Sequence, residues 1–184
     1  MNETLKHINE RYTCRDFNDT PVTKEQLDEL VKAALAAPSA MNLQPWHTVF
    51  VTDKALIDEI DAEGMRILSE EENKESYNRF MERGGRLFYN APCLAVVLSD
   101  GTKWSTLDCG IISQNIVIAA ESMGLGTCIV GMAGIPLSGP KAEAYKQRLE
   151  FPEGHTFAIG VLVGNINTGK APHDHDPTKV SFIN

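Results

Sequence analysis

The chain has 184 residues, of which 42% are hydrophobic and 23% charged, and its formal net charge is −8. The acidic balance argues against a nucleic-acid partner, because such a partner requires a basic face. No apolar run reaches the length of a membrane span, and the first residues lack a signal-peptide core, so we expect a cytoplasmic protein. The length suffices for one sizeable core, and we expect residues 1–184 to form a single domain.

The four cysteines are scattered, with no C-x-x-C pair. In a cytosolic protein this pattern predicts reduced, mostly buried thiols and neither a disulfide frame nor a zinc site. The acidic, histidine-containing tail segment 173–176 could be a metal site, but a hydrated tail is the favoured interpretation and no metal is expected. A cysteine hydrolase has no supporting histidine pattern.

A short basic segment near the start of the chain carries Arg11, Thr13 and Arg15, spaced by two. In extended backbone that spacing places all three side chains on one side. Two guanidiniums and a hydroxyl suit a phosphate or another electron-rich ligand. The alternative is a solvated basic turn paired with Asp16 or Asp19.

A polar loop follows the first long helix pattern and is bounded by Pro38 and Pro45, which both restrict the backbone before them. Between the prolines lie Ser39, Asn42 and Gln44, which can each donate and accept hydrogen bonds. A short polar loop held between a helix and a strand is suited to a heterocycle. The alternative is an ordinary helix-to-strand connector.

The other elements follow from periodicity and capping signals. Helices are predicted at 4–9, 23–37, 53–68, 105–123 and 136–149. Strands are predicted at 46–52, 91–98, 127–130 and 155–163, several of them apolar enough to be buried on both faces. Residues 69–85 are interpreted as a mobile surface helix or lid, and residues 180–183 as an edge strand that could add to a partner chain. The fold class is α+β or α/β, with a sheet covered by helices.

Five motifs in this order resemble the nitroreductase family of flavoproteins over nearly the whole chain. They are R-Y-T-C-R-D-F at 11–17, P-V-T-K-E-Q-L at 21–27, A-A-P-S-A-M-N-L-Q-P-W at 36–46, D-C-G at 108–110 with Asn115 and A-A at 119–120, and G-L-G-T-C-I-V-G at 124–131. The resemblance implies an α+β fold with a mixed central sheet covered by helices. It also implies a homodimer with a swapped C-terminal segment and FMN in the interface.

The same resemblance assigns expected roles in FMN binding to the basic segment. Arg11 resembles the phosphate-binding arginine, and Tyr12 lies within the same motif. Thr13 stands where the family usually has serine. Arg15 resembles the basic residue near N1 and O2 of the flavin, where a fixed cation would favour two-electron reduction.

The remaining expected cofactor contacts come from three other segments. Pro38, Ser39 and Asn42 resemble loop residues that the family places against FMN, often from the partner subunit. The flavin face would be lined by the segment 130–131, which consists of Val130 and Gly131. In the tail Lys170 fits a phosphate contact, whereas His173 stands where arginine is common, which would make that contact pH-dependent.

The activity implied is hydride transfer from NADH or NADPH through FMN to nitroaromatic, quinone or related small acceptors in ping-pong order. The flavin would carry the chemistry, so no catalytic side chain is expected. Dehalogenating or flavin-fragmenting relatives of the same superfamily are one alternative. A non-catalytic FMN-binding or storage protein is another, and steady NADH or NADPH consumption with an acceptor would exclude it.

Overall fold

The computed structural model describes residues 2–183, which form seven α-helices and four β-strands. The helices are α1 Glu3–Glu10, α2 Lys24–Leu35, α3 Lys54–Glu70, α4 Glu75–Met81, α5 Ser105–Ser122, α6 Gly134–Leu137 and α7 Ala142–Arg148. The strands are β1 Trp46–Val51, β2 Cys93–Ser99, β3 Gly126–Val130 and β4 Thr156–Gly164.

The strands form one sheet in the order β1-β2-β4-β3. Among the described residues all ladders between these strands are antiparallel, and parallel pairing is confined to an isolated bridge between Thr13 and Thr127. The α+β class is therefore confirmed. The expected mixture of strand directions is limited to that one bridge.

Helices cover both faces of the sheet. One hydrophobic cluster joins α3, α4, α6 and α7 to one face, and a second joins α2 and α5 to the other. Every residue of β2 is buried, as its apolar run predicts for a strand covered on both sides. The N-terminus of α2 has the predicted capping box, in which Thr23 accepts from the Gln26 backbone and the Gln26 side chain accepts from the Thr23 backbone.

Two predicted elements are wrong. The single helix predicted at 136–149 is two short helices, α6 and α7, because Gly139 and Pro140 interrupt the pattern between them. Residues 180–183 form no strand, and the side chains of Val180, Phe182 and Ile183 are exposed in the single chain.

Residues 69–85 contain a short helix, as expected, but it is confined to α4, and α3 continues through Glu70 before it. No helix within residues 2–183 combines the length and the apolarity that crossing a membrane requires. The four cysteines are free and buried, as predicted.

One buried carboxylate ties α3 to the segment before α7. The Glu63 side chain is only 2% exposed and accepts hydrogen bonds from Arg66 Nε at 3.0 Å and Arg66 Nη2 at 2.7 Å. The Nζ atom of Lys141 lies 2.8 Å from Oε2 of Glu63. Hydrogen bonds from Arg66 and Lys141 lower the pKa of Glu63 to about 2, because they stabilise the charged form.

We expect Glu63→Gln to reduce the free energy of unfolding at pH 7 by about 1–3 kcal/mol, since a buried charged acceptor is lost. A carboxyl with a lowered folded-state pKa stabilises the fold above its ordinary pKa and loses that effect as pH falls through the folded value. The difference between wild type and variant should therefore shrink below pH 4.5 and vanish towards pH 2.

Urea unfolding at pH 7, 4 and 3 measures this effect. Glu59→Gln is the matched control, because Glu59 pairs with Arg148 at 2.7 Å while both side chains are half-exposed. An equal loss of unfolding free energy in Glu63→Gln at pH 7 and at pH 3 would contradict the predicted dependence on the ionisation of Glu63.

Candidate functional site

The basic segment is held against the sheet by two backbone hydrogen bonds, one from within it and one from just after it. The Cys14 N–H donates to the carbonyl of Thr127 in β3 at 2.8 Å. The Asn18 N–H donates to the carbonyl of Asn165, just beyond β4, at 3.0 Å. The segment is therefore bound to the sheet through isolated bridges at Thr13 and Phe17 and forms no regular strand.

Two glycines permit this close approach. A Cβ atom on Gly126 would lie 2.9 Å from the Cβ of Cys14 and 2.9 Å from Cγ1 of Ile166. A Cβ atom on Gly164 would lie 2.4 Å from Cδ of Pro92 and 3.0 Å from Cδ1 of Phe17. Real Cβ atoms do not tolerate contacts under 3.0 Å, so a side chain at position 126 would push the segment off the sheet.

A groove of about 560 Å³, which we call the basic groove, opens where this segment meets the tail. Its lining comprises Tyr12, Thr13, Arg15, Asp16, Arg83, Thr168, Gly169 and Lys170. It thus brings together four of the predicted cofactor-binding residues. Hydrogen bonds from Thr168 and Asn167 hold the pKa of the Asp16 carboxyl below its usual range.

The cations of the basic groove are available to a ligand. The side chains of Arg15, Arg83 and Lys170 form no ion pair with any residue in the described range 2–183. Unpaired cations around a concave surface favour a negatively charged small molecule. The volume is within the range of ordinary ligand pockets.

The Tyr12 hydroxyl is a second sign of a binding site. It is buried near the Lys170 backbone without a hydrogen bond of normal geometry to any described residue. Burial raises the pKa of Tyr12, so the hydroxyl is a neutral donor at physiological pH. A buried hydroxyl without a partner is costly, and a ligand in the groove could supply the missing acceptor.

The polar loop is held in an uncommon backbone conformation just after Pro38. Met41, Asn42 and Gln44 have φ values of +52°, +55° and +48°. Ser39 Oγ accepts from the Gln44 N–H at 2.9 Å, and Asn42 Oδ1 accepts from Gln44 Nε2 at 3.2 Å. Left-handed conformations at three non-glycine residues are strained and persist only where the surroundings enforce them, often at functional sites.

The loop is also attached to the first turn of α5. The Ala40 N–H donates to Asp108 Oδ2 at 3.4 Å. Next to this contact, Met41 of the loop, Trp104 just before α5 and Leu107 of α5 are exposed apolar side chains. The apolar pattern of the sequence did not single out Trp104 or Leu107, because such a pattern does not show whether an apolar side chain is exposed in the folded chain.

The polar loop and the basic groove lie at opposite edges of the sheet. The loop leads into β1, whereas the basic segment pairs with β3, so β2 and β4 lie between them. Three strand spacings amount to about 14 Å, and the register adds about 20 Å along the strands. One chain therefore does not bring both groups to the same small ligand.

The other predicted residues are placed less centrally. Arg11 caps the C-terminus of α1, interacts electrostatically with Glu121 and does not line the basic groove. Val130 ends β3 and Gly131 follows it, on the same sheet edge as the groove. His173 is exposed in the tail and does not line the groove. Contact of these residues with a cofactor stays a prediction.

Sequence reasoning missed Arg83, which lines the basic groove from the turn that follows α4. Gly84 next to it has φ +96°, which allows a sharp turn there. The buried carboxylate of Asp61 anchors the following residues by accepting from the N–H groups of Leu87 at 2.6 Å and Phe88 at 3.1 Å. Two adjacent glycines flanked by arginines were the available signal for this turn.

The thiols do not provide a nucleophile. Burial raises the pKa of Cys14, that of Cys93 to about 12, and those of Cys109 and Cys128 to about 11. Thiols with such values stay protonated at neutral pH and are inert. In the described range, no three His, Cys, Asp or Glu side chains are grouped so as to hold a metal ion.

Fold and groove together define an α+β protein suited to a small anionic ligand. The model of the nitroreductase family matches residues 8–165. A nitroreductase with bound FMN from Desulfitobacterium hafniense superposes with a TM-score of 0.96 at 46% identity, covering 100% of both chains. An FMN-dependent nitroreductase from Clostridium difficile superposes with a TM-score of 0.82 at 27% identity, covering 99% of both chains.

A sequence relative, the NADPH-flavin oxidoreductase of Vibrio harveyi, is 30% identical over 165 residues, which cover 90% of this chain and 66% of that protein. The chain belongs to the nitroreductase family. The resemblance found in its motifs is thereby confirmed.

The two tyrosines with unpartnered hydroxyls make a matched test of the groove. Tyr12→Phe should leave the ligand-free protein as stable as wild type, or stabilise it by up to about 1 kcal/mol, because no hydrogen bond is lost. The same change should weaken a ligand that accepts from this hydroxyl.

Tyr145→Phe is the control, since Tyr145 has an equally unpartnered hydroxyl in the core but does not line the groove. It should leave ligand affinity unchanged. Thermal unfolding with and without added FMN measures both effects. Equal FMN stabilisation of wild type and Tyr12→Phe would remove the hydroxyl from the site.

Proposed function

We propose that this chain is an FMN-dependent oxidoreductase that takes hydride from NADH or NADPH and passes it to nitroaromatic, quinone or related small acceptors in ping-pong order. Family membership supports the cofactor and the reductant, because the matched relatives are FMN-bound nitroreductases and NAD(P)H-dependent flavin reductases. The observation that carries the proposal is the basic groove with its unpartnered Tyr12 hydroxyl.

The residues of the groove fit FMN. Lys170 and Thr13 offer a cation and a hydroxyl to a phosphate, and Tyr12 offers a buried donor. Arg15 is suited to balance the negative charge of the reduced flavin, which favours two-electron reduction. When bound, FMN supplies the hydride chemistry, whereas the protein supplies position and charge.

The protein's own side chains are assigned binding and orientation, not covalent catalysis. The buried thiols are protonated, and none of them lines the groove. An open groove that held FMN would admit the reductant and the acceptor in turn, which supports ping-pong order. The same openness favours a broad range of small acceptors.

A homodimer explains the separation of the loop from the groove. The loop carrying Pro38, Ser39 and Asn42 cannot reach the groove of its own chain, but a second copy could place it there. Exposed apolar side chains surround the loop, and the tail ends in exposed Phe182 and Ile183. Such surfaces are typical of interfaces and support a tail that packs on the partner subunit.

The visible absorption spectrum under anaerobic NADH and then NADPH tests the function. We expect a flavin spectrum that bleaches on reduction and recovers with a quinone, and parallel double-reciprocal plots when both substrates are varied. A flavin spectrum that does not bleach would favour the storage alternative. Intersecting plots would contradict ping-pong order while leaving the oxidoreductase class intact.

Mixing two defective variants tests whether the loop acts across subunits. Arg15→Ala and Asn42→Ala should each lose FMN as homodimers. If the loop of one subunit completes the groove of the other, each mixed dimer has one intact site. An equal mixture refolded together should then regain about a quarter of the wild-type FMN capacity.

The outcome differs sharply if the loop serves its own chain. Every site in the mixture would then contain one defect, and no FMN would be regained. Light scattering of the same samples shows whether dimers form. A monomer that retains FMN would contradict the interface outright.

A further inference from the structure

Two histidines outside the basic groove converge at one end of the sheet. His47 lies in β1, and His155 immediately precedes β4. The strand β2 lies between β1 and β4, and two strand spacings amount to about 10 Å. The ring centroids of the two imidazoles are nevertheless only 6.4 Å apart, with an angle of 75° between the ring planes. The two side chains therefore lean towards each other across β2.

Both the backbone and the ring of His155 are held in place. Its N–H donates to the carbonyl of Pro152 at 3.1 Å, and its ring Nδ1 lies 3.2 Å from the carbonyl oxygen of Glu153. Because a carbonyl oxygen can only accept, Nδ1 carries a proton and donates it to this hydrogen bond. In the neutral ring Nε2 is then left with its lone pair. Histidines that bind metal ions typically have this arrangement, with the other ring nitrogen donating to a carbonyl or a carboxylate.

The remaining imidazole nitrogens are not used elsewhere in the fold. Nε2 of His155 and both ring nitrogens of His47 have no hydrogen-bond or ion-pair partner within the described range 2–183. The side chain of His47 is exposed and that of His155 is half-exposed, so an ion from solvent can reach both.

The charge near the pair favours a cation. Asp100 interacts electrostatically with His155. The Asp100 carboxylate is itself fixed, because its Oδ1 accepts from the N–H and the Oγ1 of Thr102 at 2.9 Å and 2.7 Å. The net charge of −8 acts in the same direction.

We propose that His47 and His155 together bind a divalent transition-metal ion, represented by Zn²⁺, with water completing its coordination. Imidazole is a good ligand for Zn²⁺, Ni²⁺ and Cu²⁺. With metal–nitrogen bonds of about 2.1 Å, two imidazoles on one ion have ring centres about 5–6 Å apart. A small rotation of the exposed His47 ring is therefore sufficient to form the site. The bound ion would connect the edge strand β1 to the turn before β4.

The site is open, because it supplies only two protein ligands. No cluster of three or more such side chains occurs among residues 2–183, so a closed structural site is not available. We expect micromolar affinity. Sequence reasoning missed the pair because the two histidines are far apart in the chain and share no motif. The inference is independent of the proposed function, since neither residue lines the basic groove.

Calorimetric titration of the FMN-loaded protein with Zn²⁺ at neutral pH tests the proposal. Even the loss of a group that only orients a metal ligand typically weakens metal affinity about 10–100-fold. His47→Gln and His155→Gln should therefore each weaken Zn²⁺ binding by at least about tenfold. Zn²⁺ should also raise the midpoint of thermal unfolding of wild type, but not that of the double variant His47→Gln/His155→Gln.

The matched control is the double variant His173→Gln/His175→Gln. It removes two imidazoles whose centroids are 5.4 Å apart, but they lie on the exposed tail and have no anchoring hydrogen bond. This variant should keep the Zn²⁺ affinity of wild type. Equal Zn²⁺ affinities of wild type and His47→Gln/His155→Gln would overturn the proposal, and so would a loss of binding confined to the tail variant.

A spectroscopic test does not depend on variants of the site itself. One equivalent of Cu²⁺ added to His173→Gln/His175→Gln should give an electron paramagnetic resonance spectrum with coupling to two nitrogen nuclei. Copper bound through oxygen alone would overturn the proposal, even if the variants of His47 and His155 failed to fold.

Discussion

Two positions without side chains make the site possible. Gly126 and Gly164 let the basic segment lie directly on β3 and on the chain beyond β4, where any Cβ would meet Cys14 or Phe17. That contact directs Cys14 and Phe17 into the core while Arg15 stays exposed on the opposite side. The cations of the groove are therefore positioned by packing beneath them, and their placement does not depend on ion pairs.

The sheet separates the two halves of the predicted site. Its order places the strand that follows the polar loop at one edge and the strand that carries the basic segment at the other. The loop is strained at Met41, Asn42 and Gln44, yet its polar groups are turned to each other and to solvent within one chain. Strain of this kind persists where the surroundings enforce it, which agrees with the proposed contact of the loop with a second subunit.

The sequence predicts most of what local rules govern. The capping box at Thr23 and the buried run of β2 follow from short-range patterns, and the structure has them. It does not predict long-range placement. Arg83 lies shortly before Leu87, whose backbone is held by Asp61 from more than twenty residues away in the chain, and no local periodicity carries that contact. The strand predicted at residues 180–183 is absent from the single chain for a related reason, since Phe182 is exposed there.

The distribution of ion pairs distinguishes the helices from the basic groove. On the helices most cations are matched to carboxylates one turn away, as in Lys24 with Asp28 and Arg79 with Glu75. Such pairs contribute little to stability, but they leave no local field for an anion. Arg15, Arg83 and Lys170 break this pattern together, on elements that are far apart in sequence. Around the groove these three cations face one carboxylate, that of Asp16, so the lining keeps an excess of positive charge that the proposed anionic ligand would balance.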